Sequence, residues 1–446
     1  MDKFVIQGGN RLQGDIYVSG AKNSVVALLP ATLLLDVPCV IENVPDISDV
    51  ESCLTILREL GASVEKLREG TYRISTLDVT STEVPAELAR KMRASYYFLG
   101  ALLGRSHRAV AAMPGGCNLG ERPIDQHLLA FEALGAETTL IKKIDNDGTA
   151  YIDAVELKAQ YLYGSNISLN VVSVGATMNA ILASVKADGI TVIENCAREP
   201  HIVDLANFLN YMGAHISGAG THKITIEGTP KLLGNDALEG SVEERTYSVV
   251  PDQIEAGTFM VAAAATRGDV LIHGVIPHHM KDIAERLREC GVTVEEVENE
   301  DGQDMCIRVA VSEGRRLRPT NIKTEPYPGF PTDMQPQMAA LLCIVDGQSN
   351  ISEQVWEDRF RYVAELRRMG AQINTTHDGA IIFGVPGLHG ANVKACDLRA
   401  GAAMIIAGLS ASGTTEITDI YHVERGYSHI VEKLRGIGAD MQRVTE

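Results

Sequence analysis

A short pattern that closes a helix recurs six times along this chain, and that repeat limits the possible folds more than any other feature. It reads Leu60-Gly61-Ala62, Leu134-Gly135-Ala136, Met212-Gly213-Ala214, Cys290-Gly291-Val292, Met369-Gly370-Ala371 and Ile437-Gly438-Ala439. The glycines stand 74, 78, 78, 79 and 68 residues apart. Each suits the position just past a helix, where the backbone turns to positive φ and a side chain would clash. A strand-like run follows each, as in Ala214-His215-Ile216.

Each repeat also carries an earlier, more apolar helix. The six are read at Ser24–Leu35, Arg93–Leu103, Gly175–Ala187, Ala256–Thr266, Gln335–Val345 and Ala400–Ser410. A strand comes next, such as Thr191-Val192-Ile193 or Thr415-Glu416-Ile417, then a polar loop and an amphipathic helix. In the first repeat Val50, Cys53, Leu54, Leu57 and Leu60 share one face at helical spacing. The first helices should therefore be buried and the second ones should face water. The unit reads as roughly strand–helix–strand–helix–strand. Six such units fit two groups of three better than a solenoid, whose units are usually shorter and capped at the ends. The stretch at Asp252 lines up with that at Lys22. The expectation is an α/β protein of two similar domains, residues 21–250 and residues 1–20 with 251–446, the first twenty residues crossing over to complete the second.

Composition narrows the function. The chain has 446 residues, 45% of them hydrophobic, which suits more than one sizeable core. A formal net charge of −18 repels nucleic acid and anionic membrane surfaces, so neither is an expected partner. The start, Met1 to Val5, lacks the blocks of a signal peptide, and the apolar run Val25–Leu35 is broken by Pro30. Eight scattered cysteines without a Cys-x-x-Cys pair point to a reduced, cytoplasmic protein. No dinucleotide fingerprint, phosphate loop or zinc spacing is present, and His278-His279 alone is a weak metal signal, so no cofactor and no metal are expected.

In so acidic a chain, recurrent cations at equivalent places stand out. The starts of the six buried helices hold Lys22, Arg93, Ser173, Asp252, Asp333 and Arg399. Helix N-termini favour anions. Ser173 and Asp252 are equally well read as ordinary N-caps. The three cations oppose the helix dipole there and need another reason. The loops before the second helices hold Arg122, Arg198, Arg359 and Arg425, and Arg suits bidentate phosphate and carboxylate binding. Together they suggest a site for a multiply charged anion. The loop Met113 to Pro123 contains Gly115, Gly116 and Gly120 around Cys117. Its polar setting beside Arg122 favours a reactive thiol over an inert buried one.

At these residues the chain resembles the UDP-N-acetylglucosamine 1-carboxyvinyltransferases, the enolpyruvyl transferases of peptidoglycan synthesis. The matching stretches run in order over nearly the whole chain. They are Ser19-Gly20-Ala21-Lys22-Asn23, Lys91-Met92-Arg93-Ala94-Ser95, Pro114-Gly115-Gly116-Cys117, Arg122-Pro123-Ile124-Asp125-Gln126-His127, Val172-Ser173-Val174-Gly175-Ala176-Thr177, Phe330-Pro331-Thr332-Asp333-Met334-Gln335, Asp397-Leu398-Arg399-Ala400 and Tyr421 to Tyr427. The resemblance implies two similar domains, each an inside-out α/β barrel of three repeats, joined by a double crossover.

It also implies substrates, phosphoenolpyruvate and UDP-N-acetylglucosamine, and roles. Lys22, Arg122 and Arg399 match residues that hold phosphoenolpyruvate, with Arg93 and Arg425 assisting and Arg359 among the binding residues. Cys117 matches the loop thiol that acts as acid at the methylene carbon, and Asp333 the base at the sugar 3-hydroxyl. Asn23 matches a sugar contact. Arg122, Pro123, Ile124, Asp125, Gln126 and His127, with Ser173, Val174 and Gly175, match contacts to uridine and diphosphate. Departures from the family pattern are Asn170 and Val171 before Ser173, Ser48 before Asp49, and Gln253 after Asp252. Alternative readings are a 5-enolpyruvylshikimate-3-phosphate synthase, with the same fold and donor, and a non-catalytic UDP-sugar-binding paralogue. Retention of Cys117, Asp333 and the arginines weighs against the latter.

Overall fold

The computed structural model describes residues 2–113, 124–144, 150–234, 245–298 and 305–445. All six repeat glycines adopt positive φ, between 90° and 106°, so the sequence pattern marks real helix ends. The chain divides into a continuous unit, residues 22–250, and a split unit, residues 1–21 with 251–446.

Three apolar helices form the centre of each unit. In the continuous unit they are α1 (Lys22–Ala31), α2 (Tyr97–Ser106) and α3 (Val174–Ser184). In the split unit they are α4 (Gln253–Ala265), α5 (Gln335–Leu342) and α6 (Leu398–Ser410). Every residue of α5 is buried, and so is every residue of α4 after Gln253. Helices apolar on all sides have no solvent face to offer, so they pack on one another, and α4, α5 and α6 do so pairwise. The second helices behave differently. Ser48–Glu59 buries Val50, Cys53, Leu54, Ile56 and Leu57 and leaves its other face to solvent, and Lys281–Glu289 buries only Ile283, Ala284 and Leu287. Among the described residues no helix is long and apolar enough to cross a membrane.

The sheets extend the expected unit by one strand. In the fifth repeat Ile322–Lys323 runs parallel to Gln348–Ser352, which pairs antiparallel with Gly379–Phe383, itself in a hairpin with Gln372–Thr375. The sequence suggested one strand after the second helix; the structure has a hairpin there. The two hairpin strands are joined by a short turn, Thr376 to Asp378, which the reading merged into one run. In the second repeat the leading strand shrinks to a single bridge, Glu83 to Val110, beside a three-stranded sheet.

Each unit pairs strands that lie far apart in the chain. Gln13–Tyr17 lies parallel to Asp269–His273, and Lys3–Gln7 inserts between Thr414–Thr418 and Asp440–Val444. Within the continuous unit Arg245–Ser248 lies parallel to Cys39–Glu42. Parallel neighbours demand a crossover connection, and here the connection is a whole unit. Phe4, Ile6, Leu12 and Ile16 are therefore buried in one core with residues 254–441. The double crossover and three-repeat α/β architecture are as the resemblance implies.

Candidate active site

The sequence-predicted positions at helix starts are not equivalent in space. Ser173 and Asp252 are true caps: Ser173 Oγ accepts the Ala176 N–H, and Asp252 Oδ1 accepts those of Ile254 and Glu255. Lys22 is the first residue of α1. Arg399 is one residue inside α6, whose cap is Asp397, bonded to the Arg399 and Ala400 N–H groups. Arg93 and Asp333 sit in 3-10 turns, Arg93–Tyr96 and Thr332–Met334, ahead of their helices. The cap reading of Ser173 and Asp252 thus holds, and a cap and a residue one step inside a helix point in different directions.

In the split unit three of the predicted residues come together. Asp333 Oδ1 accepts Arg359 Nη2 at 3.0 Å, and Asp333 Oδ2 accepts Arg399 Nη2 at 3.0 Å. The arginine side chains are 3% and 4% exposed while the Asp333 side chain is 31% exposed. Two buried cations thus hold one carboxylate that reaches solvent. Arg359 Nε, Arg399 Nε and Arg399 Nη1 are buried without a hydrogen-bond partner among the described residues. Burying guanidinium donors unpartnered costs about 1–3 kcal/mol each, so the arrangement is poised for an anion with several acceptor oxygens. Burial pushes the Arg399 pKa down, but Asp333, Tyr427 and Asp252 outweigh it and the net direction is up, so this cation is permanent.

Neighbouring groups fix this trio. Glu353 is buried and accepts Thr324 Oγ1 at 2.7 Å, Thr332 Oγ1 at 3.0 Å and the N–H groups of Val355 and Trp356. It thereby ties the turn bearing Asp333 to the loop leading to Arg359. The Tyr427 ring centroid lies 5.5 Å from Arg399 Cζ, and its hydroxyl is 2.9 Å from Thr258 Oγ1. Gln337 Nε2 donates to that hydroxyl at 3.3 Å and to the Asp333 carbonyl at 2.9 Å. Arg425 is half-buried two residues before Tyr427.

In the continuous unit Lys22 Nζ is 2.9 Å from Asp49 Oδ2, with side chains 13% and 7% exposed. The same turn of α1 is pinned at Ser24, whose Oγ donates to the buried Asp204; Tyr247 Oη donates to the same carboxylate at 2.6 Å. Asn23 is half-buried between these two anchors, and Arg93 is half-buried as well. Burial raises the Cys53 thiol pKa far above its ordinary value, Asp49 adding to the effect, so that sulfur stays neutral.

A second group gathers at the start of α3. Gln126 Oε1 accepts the Asn170 N–H at 2.7 Å, so the unusual Asn170 is engaged through its backbone. The imidazole of His127 packs so closely on Gly175 that a Cβ there would lie 3.0 Å from Cε1 and Nε2. Asn179 Oδ1 accepts the Gly100 N–H at 3.0 Å, which turns its amide nitrogen toward His127 Nδ1 at 2.8 Å. That arrangement makes Nδ1 the acceptor and leaves the proton on Nε2. Gln126 and His127 are both buried, Asp125 is exposed and Ile124 is buried. Burial lowers the His127 pKa to about 4, Asp125 opposing the effect. Cys117, Arg122 and Pro123 lie outside the described residues.

A pH dependence follows. Unfolded, His127 protonates below 6.5; folded, it resists until about pH 4. Stability should be undiminished above 6.5 and fall as the pH drops toward 4, by roughly 3 kcal/mol from this group. Urea unfolding of the parent and of His127→Gln between pH 7.5 and 4.5 measures it. The variant should lose less stability on acidification; parallel losses would place the acid sensitivity elsewhere.

The reading from residues missed Asp49, Asp204, Glu353 and Asn179, since each sits far from its partner in sequence. Tyr427 was visible within a matched stretch, but nothing there showed that it faces Arg399.

Known proteins place this geometry in context. The family model for EPSP synthase (3-phosphoshikimate 1-carboxyvinyltransferase) matches residues 6–434. A protein of Caldanaerobacter subterraneus subsp. tengcongensis named UDP-N-acetylglucosamine 1-carboxyvinyltransferase 3 is 52% identical, with 100% of each chain covered. A Clostridium botulinum protein named UDP-N-acetylglucosamine 1-carboxyvinyltransferase is 49% identical, again with 100% of both covered. Among solved structures, the enolpyruvyl transferase NikO from Streptomyces tendae superposes with a TM-score of 0.83 at 27% identity, covering 100% of this chain and 99% of the other. EPSP synthase from Acinetobacter baumannii gives 0.74 at 20% identity over 100% of both chains, a likeness of fold alone.

Proposed function

From the premise that this chain belongs to the EPSP synthase family, and within it to the UDP-N-acetylglucosamine 1-carboxyvinyltransferases, we propose that it moves the enolpyruvyl group of phosphoenolpyruvate to the 3-hydroxyl of UDP-N-acetylglucosamine with release of phosphate. This is the first committed step of peptidoglycan precursor synthesis, and the substrates place it in the cytoplasm. The observation that carries the reading is full-length likeness to relatives of that name. The carboxylate held between two buried arginines supports it.

The chemistry needs an acid and a base. The methylene carbon of phosphoenolpyruvate accepts a proton, which makes the adjacent carbon electrophilic. The sugar oxygen attacks that carbon as its own proton departs. Loss of a proton from the new methyl group and of phosphate from the ketal carbon then restores the double bond. Acid and base are each commonly worth about 10²–10⁴ in rate. We assign the acid to Cys117 and the base to Asp333, the most exposed member of its trio. Arg399, Arg359, Lys22, Arg93, Arg122 and Arg425 hold phosphate and carboxylate, neutralising charge as phosphate leaves. Asn23 contacts the sugar. The Pro123–His127 stretch and Ser173–Gly175 serve uridine and diphosphate, with the α3 N-terminus offering N–H groups to an anion.

Phosphate release from phosphoenolpyruvate tests this. It should require UDP-N-acetylglucosamine, should not respond to shikimate 3-phosphate, and should be lost in Cys117→Ala. Release with shikimate 3-phosphate instead would move the chain to the other acceptor class.

A further inference from the structure

Ser19, Glu255 and Lys433 meet inside the split unit, beside the two places where the chain passes between units, residues 21/22 and 250/251. Glu255 lies in the first turn of α4, and its side chain is 2% exposed. Its Oε2 accepts the Ser19 N–H at 2.5 Å, and its Oε1 is 2.8 Å from Lys433 Nζ. Lys433, on the helix Ile430–Gly436, also donates to Ser19 Oγ at 2.6 Å and lies 5.8 Å from the Phe259 ring centroid. The Ser19 carbonyl accepts the Asp252 N–H at 2.9 Å, and Gly20 forms an antiparallel bridge with Pro251. The amide, carbonyl and hydroxyl of Ser19 are thus all engaged, and the outgoing and returning passages are bonded side by side.

Taking an ammonium and a carboxylate out of water costs several kcal/mol per ion, so apolar residues of similar size would often hold such a place as well or better. What apolar residues lack is direction. Two directed bonds from one ion pair onto a single serine, with the Asp252 N–H on its carbonyl as a third, fix both position and orientation of the backbone. Burial pushes the Glu255 carboxyl up, and Lys433 and the Ser19 amide pull it back.

We propose that Glu255 and Lys433 are positioning residues for the transfer reaction, clamping both chain passages at Ser19 so that Lys22, three residues further on, leaves the clamp in one conformation. The inference rests on the phosphoenolpyruvate role assigned to Lys22. Neither Glu255 nor Lys433 touches substrate; they act through the backbone of Ser19 to Lys22 and through Asp252 at the cap of α4.

The test is steady-state kinetics on full-length Glu255→Gln, Lys433→Met, Lys433→Arg, Ser19→Ala and the Glu255→Gln/Lys433→Met double variant, with thermal melting alongside. A misplacement of about 1 Å can cost ~10²-fold. Lys433→Met should therefore raise KM for phosphoenolpyruvate by about tenfold or more, and KM for UDP-N-acetylglucosamine much less. Lys433→Arg should recover part of the loss, and the double variant should be no worse than the poorer single one. Ser19→Ala keeps the ion pair and the backbone bond, and should shift the phosphoenolpyruvate KM the same way by a smaller factor. Lower melting temperatures with parent-like constants for both substrates would overturn the proposal, as would equal rises in both KM values. If the charge variants do not fold, Ser19→Ala decides: an unchanged phosphoenolpyruvate KM overturns it. A parent that releases no phosphate sinks the activity and the clamp's role together; an active parent with kinetically unchanged variants sinks the clamp alone.

Discussion

Asp333→Asn should fold and bind both substrates yet lose about 10²–10⁴ of its turnover, the usual size of general-base catalysis. The amide keeps the shape of the carboxylate but cannot take the proton of the sugar hydroxyl. It also loses both ion pairs and keeps at most one of the two hydrogen bonds, because a neutral amide presents a single acceptor oxygen to Arg359 Nη2 and Arg399 Nη2, each now at 3.0 Å. Removing that anion leaves two buried guanidinium groups with more need of an external one. The KM for phosphoenolpyruvate should consequently not rise and should fall if anything, while kcat collapses. That pairing separates loss of a base from loss of a binding group. Turnover within about tenfold of the parent, below the usual range for a base, would remove Asp333 from the role.

Arg399→Ala should cost about 2–5 kcal/mol in phosphoenolpyruvate binding, some 30-fold to several thousand-fold, with UDP-N-acetylglucosamine affected far less. The side chain is 4% exposed, uses Nη2 on Asp333, and keeps Nε and Nη1 unbonded among the described residues. One guanidinium can therefore hold the Asp333 carboxylate with one arm and an anion with the other two donors. Lysine has a single charged point and cannot do both, so Arg399→Lys should restore little. Isothermal titration with each substrate reads the result. Equal weakening of both ligands would make Arg399 a structural residue.

These expectations depend on parts of the molecule that were legible to different degrees. The repeat glycines were read correctly because positive φ past a helix is a local demand, met or not by one residue. The apolar helices were read for the same reason, although their ends moved. The first ends as an α-helix at Ala31 and continues as a 3-10 turn, Thr32–Leu34. Arg93 opens a separate 3-10 turn rather than the helix itself. The hairpin that completes the sheet in repeats such as the fifth was merged into a single strand, because two short strands and a turn look like one irregular run.

Asp333, Arg359 and Arg399 were each named from the sequence, but their union was not. The three are separated by 26 and 40 positions, and no periodicity within any one element encodes a contact of that range. The partners that hold them were less visible still. Glu353 resembles any surface glutamate until Thr332 and two N–H groups are found around it. His127 was named from the sequence, but nothing there showed that its Nδ1 is engaged by Asn179 and that its ring packs on Gly175 at the start of α3.

By itself, then, the sequence determined what short-range physics controls: six units, buried and amphipathic helices, helix ends, an acidic surface, and the residue types able to hold an anion and move a proton. Only the tertiary structure decided which strands far apart in the chain pair, which carboxylate faces which cation, and which polar side chains are spent holding others in place. The reason is range. A helix cap or an apolar stripe is specified by residues within one or two turns of each other. A bond such as Lys22 to Asp49, or the meeting of Ser19, Glu255 and Lys433, exists only once loops of 27 to 414 residues have closed, and the packing that closes them is a property of the whole fold.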